Sequence, residues 1–177
     1  MSEDGPPFYT RAMAELQTSI VRQEHFLREE QCAELIAFTV ENLPTQAMHA
    51  PDTIFSGLYI DAPASPLALA AGKRAATLLS LAFGARLRLE VFQLVMWPQG
   101  MEQKVHIDKR REATSHAAIL YLNDDFEGGQ TYFPDIGEEV QPQRGLLAAF
   151  PGRTLPHGVR RIERGTRHTL ALWFVPA

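Results

Sequence analysis

Residues 155–175 have the sequence LPHGVRRIERGTRHTLALWFV, and this stretch decides the fold. Two segments rich in strand-forming residues flank Arg164-Gly165, where the glycine favours a turn. If the two segments pair antiparallel about this turn, Arg167 lies opposite a residue near Arg160. His157 is then about three residues further along, on the order of 10 Å away at ~3.4 Å per residue. The pattern therefore predicts two neighbouring strands that bring a histidine and an arginine to one site.

Strand patterns of the same kind recur from residue 86 onward, separated by Gly, Pro, Asn and Asp turn residues. Eight short strands are predicted, at 86–97, 104–107, 115–122, 130–133, 139–141, 146–150, 155–160 and 166–175. This spacing is typical of a jelly-roll or cupin-like double-stranded β-helix, here with its core at 86–175. The predicted fold class is mainly β with flanking helices, and the ligand site of such a fold is its barrel mouth.

The first half of the chain predicts two or three helices packed outside that core. Apolar residues recur at helical spacing from Phe26 to about Pro44, and a second helix is predicted over 66–83, with Pro66 in its first turn and Gly84 at its end. Residues 1–20 are predicted to be an N-terminal arm, with room for a short helix. Residues 45–65 are too rich in proline for regular structure, except for a short strand near 56–60. The whole chain, 1–177, is expected to be a single domain.

Composition excludes several classes of function. The chain has 177 residues, 45% of them hydrophobic, and a net charge of −4 with a pI near 5.9, which argues against non-specific nucleic-acid binding. No apolar run approaches the roughly 20 residues that a membrane span needs. A single cysteine, Cys32, fits a reducing compartment and a buried, unreactive thiol. We therefore expect a cytoplasmic protein that binds neither nucleic acid nor membrane, and the sequence leaves open whether it is a monomer or a homodimer.

His106 and Asp108 are the strongest chemical signal, because residues two apart on a strand share a face. With His157 they would supply two imidazoles and one carboxylate, the set expected for non-haem Fe(II) oxygenases. Arg167 would place a fixed cation near that metal. By alternation Thr169 and Trp173 share the face of Arg167, whereas His168 points to the opposite face. Each residue alone is a weak signal; their joint order on predicted strands is what favours a metal site.

The chain resembles the Fe(II)/2-oxoglutarate-dependent dioxygenases, in particular their prolyl-4-hydroxylase-like branch, over roughly residues 24–175. The phrases that carry the resemblance are FLREEQCAEL at 26–35, HID at 106–108, YLN at 121–123, EGGQTYF at 127–133, QRGLL at 143–147, HGV at 157–159 and RHTL at 167–170.

This resemblance implies a role for each matching residue. His106, Asp108 and His157 would bind Fe(II), and Arg167 would bind the C5 carboxylate of 2-oxoglutarate, with Tyr121 and Thr169 beside it. Collagen-type members carry lysine where this chain has Arg167. Many relatives also place a tyrosine near Met96-Trp97, so Trp97 fills that volume here without the hydroxyl.

The resemblance further implies the co-substrates 2-oxoglutarate and O2, with ascorbate a candidate reductant, and hydroxylation with release of succinate and CO2. Related halogenases lack the ligand carboxylate, so Asp108 favours hydroxylation. The expected partner is a small-molecule or peptidyl amino-acid substrate, with Trp173, Trp97, Tyr59 and Arg160 as candidate contacts and residues 45–65 as a lid.

Three functions stay open at this point. The first is hydroxylation of an aliphatic C–H in a free amino acid or a short peptide. The second is a protein prolyl hydroxylase acting on a translation-related protein. The third is a non-catalytic sensor that binds the metal and 2-oxoglutarate without turnover; the intact set of ligands argues against it.

Overall fold

The computed structural model describes residues 20–46, 48–49, 58–61, 65–109 and 113–177. The predicted N-terminal arm, apart from its last residue, and most of the predicted lid at 45–65 lie outside these ranges. No helix among the described residues is long and apolar enough to cross a membrane.

All strand pairs in the described residues are antiparallel. The strands are β1 (Val21–Gln23), β2 (Met48–His49), β3 (Leu58–Asp61), β4 (Leu87–Pro98), β5 (Gln103–His106), β6 (His116–Tyr121), β7 (Glu127–Gly128), β8 (Thr131–Phe133), β9 (Glu138–Val140), β10 (Leu147–Phe150), β11 (His157–Val159), β12 (Ile162–Arg164) and β13 (Thr166–Pro176).

These strands form two facing sheets and a small third one. The major sheet has the order β1-β10-β6-β13-β4-β3-β2, and the minor sheet has the order β5-β11-β8-β9. The third sheet holds only β12 and β7. The predicted double-stranded β-helix is therefore confirmed, and all eight predicted strands are present within a few residues of their predicted bounds.

Two helices cover the outer face of the major sheet, α1 (Glu29–Gln46) and α2 (Pro66–Ala82). The Ser65 hydroxyl caps α2 by accepting a hydrogen bond from the Ala68 N–H at 3.2 Å, and Pro66 occupies the first turn as predicted. Apolar residues from both helices bury the outward side chains of the sheet, among them Leu94 and Leu170. This layer leaves the inner face of the major sheet to face the minor sheet.

The prediction that α1 ends near Pro44 is wrong by two residues, because the helix continues to Gln46. Proline lacks an N–H and so removes one helical hydrogen bond. The bond that is lost is the one that an N–H at position 44 would donate to the Val40 carbonyl, and only two helical residues follow Pro44.

The predicted antiparallel pair between the His157 strand and the last strand is also wrong. β11 pairs with β5 and β8, whereas β13 pairs with β4 and β6. The turn itself is present, with Gly165 at a φ of 81°, but the chain crosses between sheets through β12 instead of forming a hairpin. His157 and Arg167 consequently lie on facing sheets, and Arg160 is not opposite Arg167.

Sequence patterns missed four short strands, β1, β2, β7 and β12, which have two or three residues each, although β8, β9 and β11 are also three residues long and were predicted. Runs this short cannot show a period of two, so only their partners in the sheet define them.

Candidate active site

A cavity of about 340 Å³ lies between the inner face of the major sheet and the minor sheet. Most of the residues that the sequence singled out line this cavity, namely His106, Asp108, His157, Arg167, Thr169, Trp97 and Trp173. The predicted alternation along β13 is confirmed, because Arg167, Thr169 and Trp173 all line it. His168, on the opposite face, has its backbone N–H bound to Asn123 instead.

His106, Asp108 and His157 form a cluster whose ligand atoms lie within 4.8 Å of one another. The His106 Nε2 is 3.8 Å from Asp108 Oδ1, and the His157 Nε2 is 3.7 Å from Asp108 Oδ2. Among the described residues, Asp108 Oδ2 is buried without a hydrogen-bond donor. A buried carboxylate with one oxygen near each imidazole nitrogen fits a cation between the three groups, since a lone buried anion is costly.

Backbone carbonyls orient both imidazoles toward this point. His106 Nδ1 lies 2.9 Å from the Lys104 carbonyl, and His157 Nδ1 lies 3.0 Å from the Leu155 carbonyl. Each Nδ1 can donate its proton to a carbonyl, which leaves a free electron pair on Nε2 for a metal.

A register shift in the minor sheet contributes to this arrangement. His157 pairs with His106 and Val159 pairs with Gln103, so two residues of β5 oppose the single residue Gly158 of β11. Such a bulge re-aims the side chains beside it. Here the two histidine rings are 4.4 Å apart between centroids.

Burial keeps His157 in the form a metal requires. Burial lowers the pKa of His157, and the Asp108 carboxylate opposes that shift. The ring also contacts Phe150, with 4.5 Å between centroids. A neutral imidazole with an open Nε2 is a metal ligand, whereas a protonated one is not.

Arg167 lies at the other end of the cavity and is fully buried. Its Nη2 donates to Thr131 Oγ1 at 3.3 Å, but within the described ranges Nε and Nη1 have no hydrogen-bond partner. Burial lowers the pKa of Arg167, and the Tyr121 hydroxyl opposes that shift. The guanidinium still stays charged, because arginine is the most basic side chain and is not deprotonated in proteins. A buried cation with unused donors is a binding site for a carboxylate.

Thr131 lines this end of the cavity, and the buried Tyr121, which does not itself line it, contacts Thr131. Their hydroxyls share a hydrogen bond of 2.6 Å, and Thr131 links it to Arg167. Sequence reasoning missed Thr131, although its place two residues before the buried Phe133 in the EGGQTYF phrase puts both on the inward face.

The strand register separates the two ends of the cavity. Thr169 pairs with Tyr121 at the arginine end, and Trp173 pairs with Ala117 at the metal end. Tyr121 and Ala117 are four residues apart on β6, on the order of 14 Å at ~3.4 Å per residue. The long side chain of Arg167 and a short dicarboxylate can together span that distance.

The four predicted substrate contacts lie in different places. Trp173 is at the metal end, but Trp97 pairs with Arg167, and its ring centroid is 5.3 Å from the guanidinium carbon, so it belongs to the carboxylate end. Tyr59 has its backbone in β3, next to Val95, and its side chain is outside the described part of the chain.

Arg160 does not reach the cavity, which corrects the prediction made for it. Its side chain is exposed, binds Glu139 at 2.7 Å through Nε, and stacks 4.0 Å from the Tyr132 ring centroid. It lines a separate polar cleft on the surface. Gln93, a buried residue on the inner face, lines the cavity instead and was not predicted.

Comparison with known families supports the resemblance found in the sequence. Residues 92–175 match the model of the 2OG-Fe(II) oxygenase superfamily. An alignment over 65 residues, which covers 33% of this chain, is 48% identical to prolyl 3-hydroxylase 1 of Homo sapiens. That alignment corresponds to 9% of the relative's length, so the two proteins share only a small part.

Solved structures share the fold over nearly the whole chain. A Pseudomonas putida prolyl-4-hydroxylase superposes with a TM-score of 0.75 at 24% identity, covering 94% of this chain and 98% of the other. A Trichoplax adhaerens prolyl hydroxylase, in complex with a hypoxia inducible factor peptide fragment, gives a TM-score of 0.70 at 13% identity, covering 98% and 94%. Fe(II), 2-oxoglutarate and O2 are the metal and co-substrates that the matched superfamily implies, as predicted; the ascorbate prediction stays untested.

Proposed function

We propose that this chain, whose residues 92–175 match the 2OG-Fe(II) oxygenase superfamily model, hydroxylates an aliphatic C–H of an amino acid, most simply proline, either free or within a short peptide. Substrate, 2-oxoglutarate and O2 yield hydroxylated substrate, succinate and CO2. A cytoplasmic location is part of the same proposal.

One observation carries the proposal: a buried guanidinium with unused donors and a His-Asp-His cluster occupy two ends of one cavity. A metal site alone suits many functions. A metal site that shares its cavity with a buried carboxylate receptor suits a metal-chelating dicarboxylate such as 2-oxoglutarate.

The residues at the two ends of the cavity have different proposed roles. His106, Asp108 and His157 would hold Fe(II) through two Nε2 atoms and a carboxylate oxygen, which leaves coordination positions open. Bound Fe(II) would supply the oxidising chemistry that couples decarboxylation of 2-oxoglutarate to hydroxylation. Arg167 would bind the C5 carboxylate and so fix the orientation of 2-oxoglutarate toward the metal.

The rest of the cavity wall is mostly apolar and offers a surface for a substrate beside the metal. Phe150 and Ile119 supply apolar wall, and Trp173 lies at the metal end with the buried amide of Gln93 nearby. An aromatic face beside the metal suits an aliphatic ring such as that of proline.

The first test is an anaerobic titration of the metal-free protein with Fe(II) and then 2-oxoglutarate. We expect the weak visible charge-transfer band of the chelate to develop with both additions and with neither alone. A folded, iron-loaded protein that gives no band would contradict the proposal at its first step.

The second test measures turnover with free proline, prolyl peptides and matched peptides that carry alanine in place of proline. We expect succinate release that depends on proline, together with one added oxygen in the product by mass spectrometry. Turnover of protein-derived peptides alone would select the protein hydroxylase function. A chelate band without turnover of any proline compound would contradict hydroxylation and favour a sensor.

Replacing Thr131 with valine tests the carboxylate end without changing side-chain shape. Thr131→Val removes the hydroxyl that links Tyr121 to Arg167. A hydrogen bond to a charged group contributes about 1.5–3 kcal/mol, so we expect the Kd for 2-oxoglutarate to rise about 10-fold or more. Calorimetric titration measures this, with the exposed Thr77→Val as control. An unchanged Kd would show that the hydroxyl does not help to organise Arg167.

A further inference from the structure

Gly152, in the connection between β10 and β11, touches Asp108 in two ways. Its carbonyl accepts the Asp108 N–H at 2.9 Å, just beyond the end of β5. Its missing side chain also leaves room for the carboxylate. A Cβ at position 152 would overlap Asp108 Oδ2, stand 3.2 Å from Asp108 Cγ, and lie 2.9 Å from the Ala117 Cβ.

From this packing we infer that Gly152 is a positioning residue for the metal site, one that sets where the Asp108 carboxylate points. The inference rests on the proposed role of Asp108 as a ligand and goes beyond it by assigning a function to a residue that bears no ligand atom. The backbone of Gly152 does not itself need glycine, because its φ lies outside the left-handed region. The space next to Asp108 is therefore the reason for glycine here.

The same turn also orients a second ligand. The Pro151 carbonyl accepts the N–H groups of Thr154 and Leu155 at 3.0 and 2.9 Å, which closes the turn. The Leu155 carbonyl in turn lies 3.0 Å from His157 Nδ1. One turn thus holds Asp108 through Gly152 and His157 through Leu155, so that two ligands from separate segments of the chain keep a common geometry.

An added methyl group at position 152 has little free space around it. It is confined between the Asp108 carboxylate and Ala117, which is buried on β6. A carboxylate at the end of a side chain turns more easily than a strand moves. Gly152→Ala should therefore displace the ligand oxygen while leaving the fold in place.

The experiment is a titration of metal-free protein with Mn(II) alone, with free Mn(II) measured by its paramagnetic resonance signal. We expect Gly152→Ala to weaken Mn(II) binding about 10- to 100-fold, the range seen when groups that orient a metal ligand are changed. Far-UV circular dichroism verifies folding. The matched control is Gly72→Ala in α2, where the new methyl also meets a flexible side-chain end, that of Leu89; its Mn(II) affinity should equal that of the wild type.

The double variant Gly152→Ala/Ala117→Gly distinguishes a clash with Asp108 from a clash with Ala117 as the cause of weaker Mn(II) binding. It makes room on the Ala117 side only, so binding should stay weak if Asp108 is the residue displaced. It also provides a test if the single variant does not fold. Native affinity in Gly152→Ala, or restored affinity in the double variant, would overturn the inference. Failure of the wild type itself to bind Mn(II) would instead overturn the proposed function.

Discussion

Replacing Arg167 with methionine is expected to stabilise the protein in the absence of co-substrate and to remove its affinity for 2-oxoglutarate. The guanidinium is fully buried, and among the residues that the structure describes two of its nitrogens have no acceptor. Desolvating a charge without pairing it is unfavourable. Methionine is of similar length, carries no charge, and can contact the nearby rings of Trp97 and Tyr121.

Arg167→Met should raise the free energy of unfolding and lower the affinity for 2-oxoglutarate, and the size of each change can be estimated. Apolar replacement of buried charged groups has been stabilising by on the order of 1–4 kcal/mol, and we expect a free energy of unfolding higher by an amount in that range. Loss of a buried, charge-assisted pair with the C5 carboxylate costs about 2–5 kcal/mol of binding, a rise in Kd of about 30-fold or more.

Urea unfolding of the metal-free protein and calorimetric titration of the Mn(II)-loaded protein with 2-oxoglutarate measure the two effects. The control is Arg22→Met. Arg22 is half exposed, pairs with Glu138 at 2.7 Å, and lies on an edge strand without lining the cavity, so both quantities should stay near their wild-type values. Native affinity for 2-oxoglutarate in Arg167→Met would assign Arg167 a structural role. A lower free energy of unfolding would show that its contacts with Thr131 and the two rings outweigh the cost of burying it.

The sequence predicted the layout of this site because its signals are local. Arg167, Thr169 and Trp173 alternate on β13, so strand periodicity alone gives their shared face. The prediction that His106 and Asp108 share a strand was wrong, because β5 ends at His106 and Asp108 lies in the connection after it. Periodicity also gave the eight strands and the helix from Pro66. The metal-ligand cluster joins residues from separate parts of the chain. Strand alternation does not predict which of them meet, and the resemblance to a known family supplied that assignment.

Pairing between strands was not predictable in the same way. The turn at Gly165 suggested a hairpin, yet β11 and β13 belong to different sheets, because jelly-roll connections cross from sheet to sheet. Arg160 was placed near Arg167 on that wrong assumption, and it lies in a surface cleft instead. Thr131, Gln93 and Gly152 contribute through contacts with residues far along the chain, and a single sequence does not reveal such contacts.

Replacing His157 with alanine is expected to abolish proline-dependent succinate release and to weaken Mn(II) binding by about 100-fold or more. Changes in groups that only orient a ligand already cost about 10- to 100-fold, so losing a ligand atom should cost at least as much. The loss should not unfold the protein, because the ring occupies the edge of the cavity against Phe150 and His106 and is not at the centre of the apolar layer.

His168→Ala is the matched control for His157→Ala, because it also removes a buried imidazole from a strand. His168 is on the face of β13 away from the cavity, and its backbone N–H, which the substitution keeps, binds Asn123. His168→Ala should therefore retain Mn(II) binding and turnover, even if it loses stability to a similar degree. If both variants lost Mn(II) binding equally, the cause would be a general weakening of the fold. If His157→Ala released succinate like the wild type, the assignment of His157 as a ligand would be wrong, since His106 and Asp108 would then be sufficient.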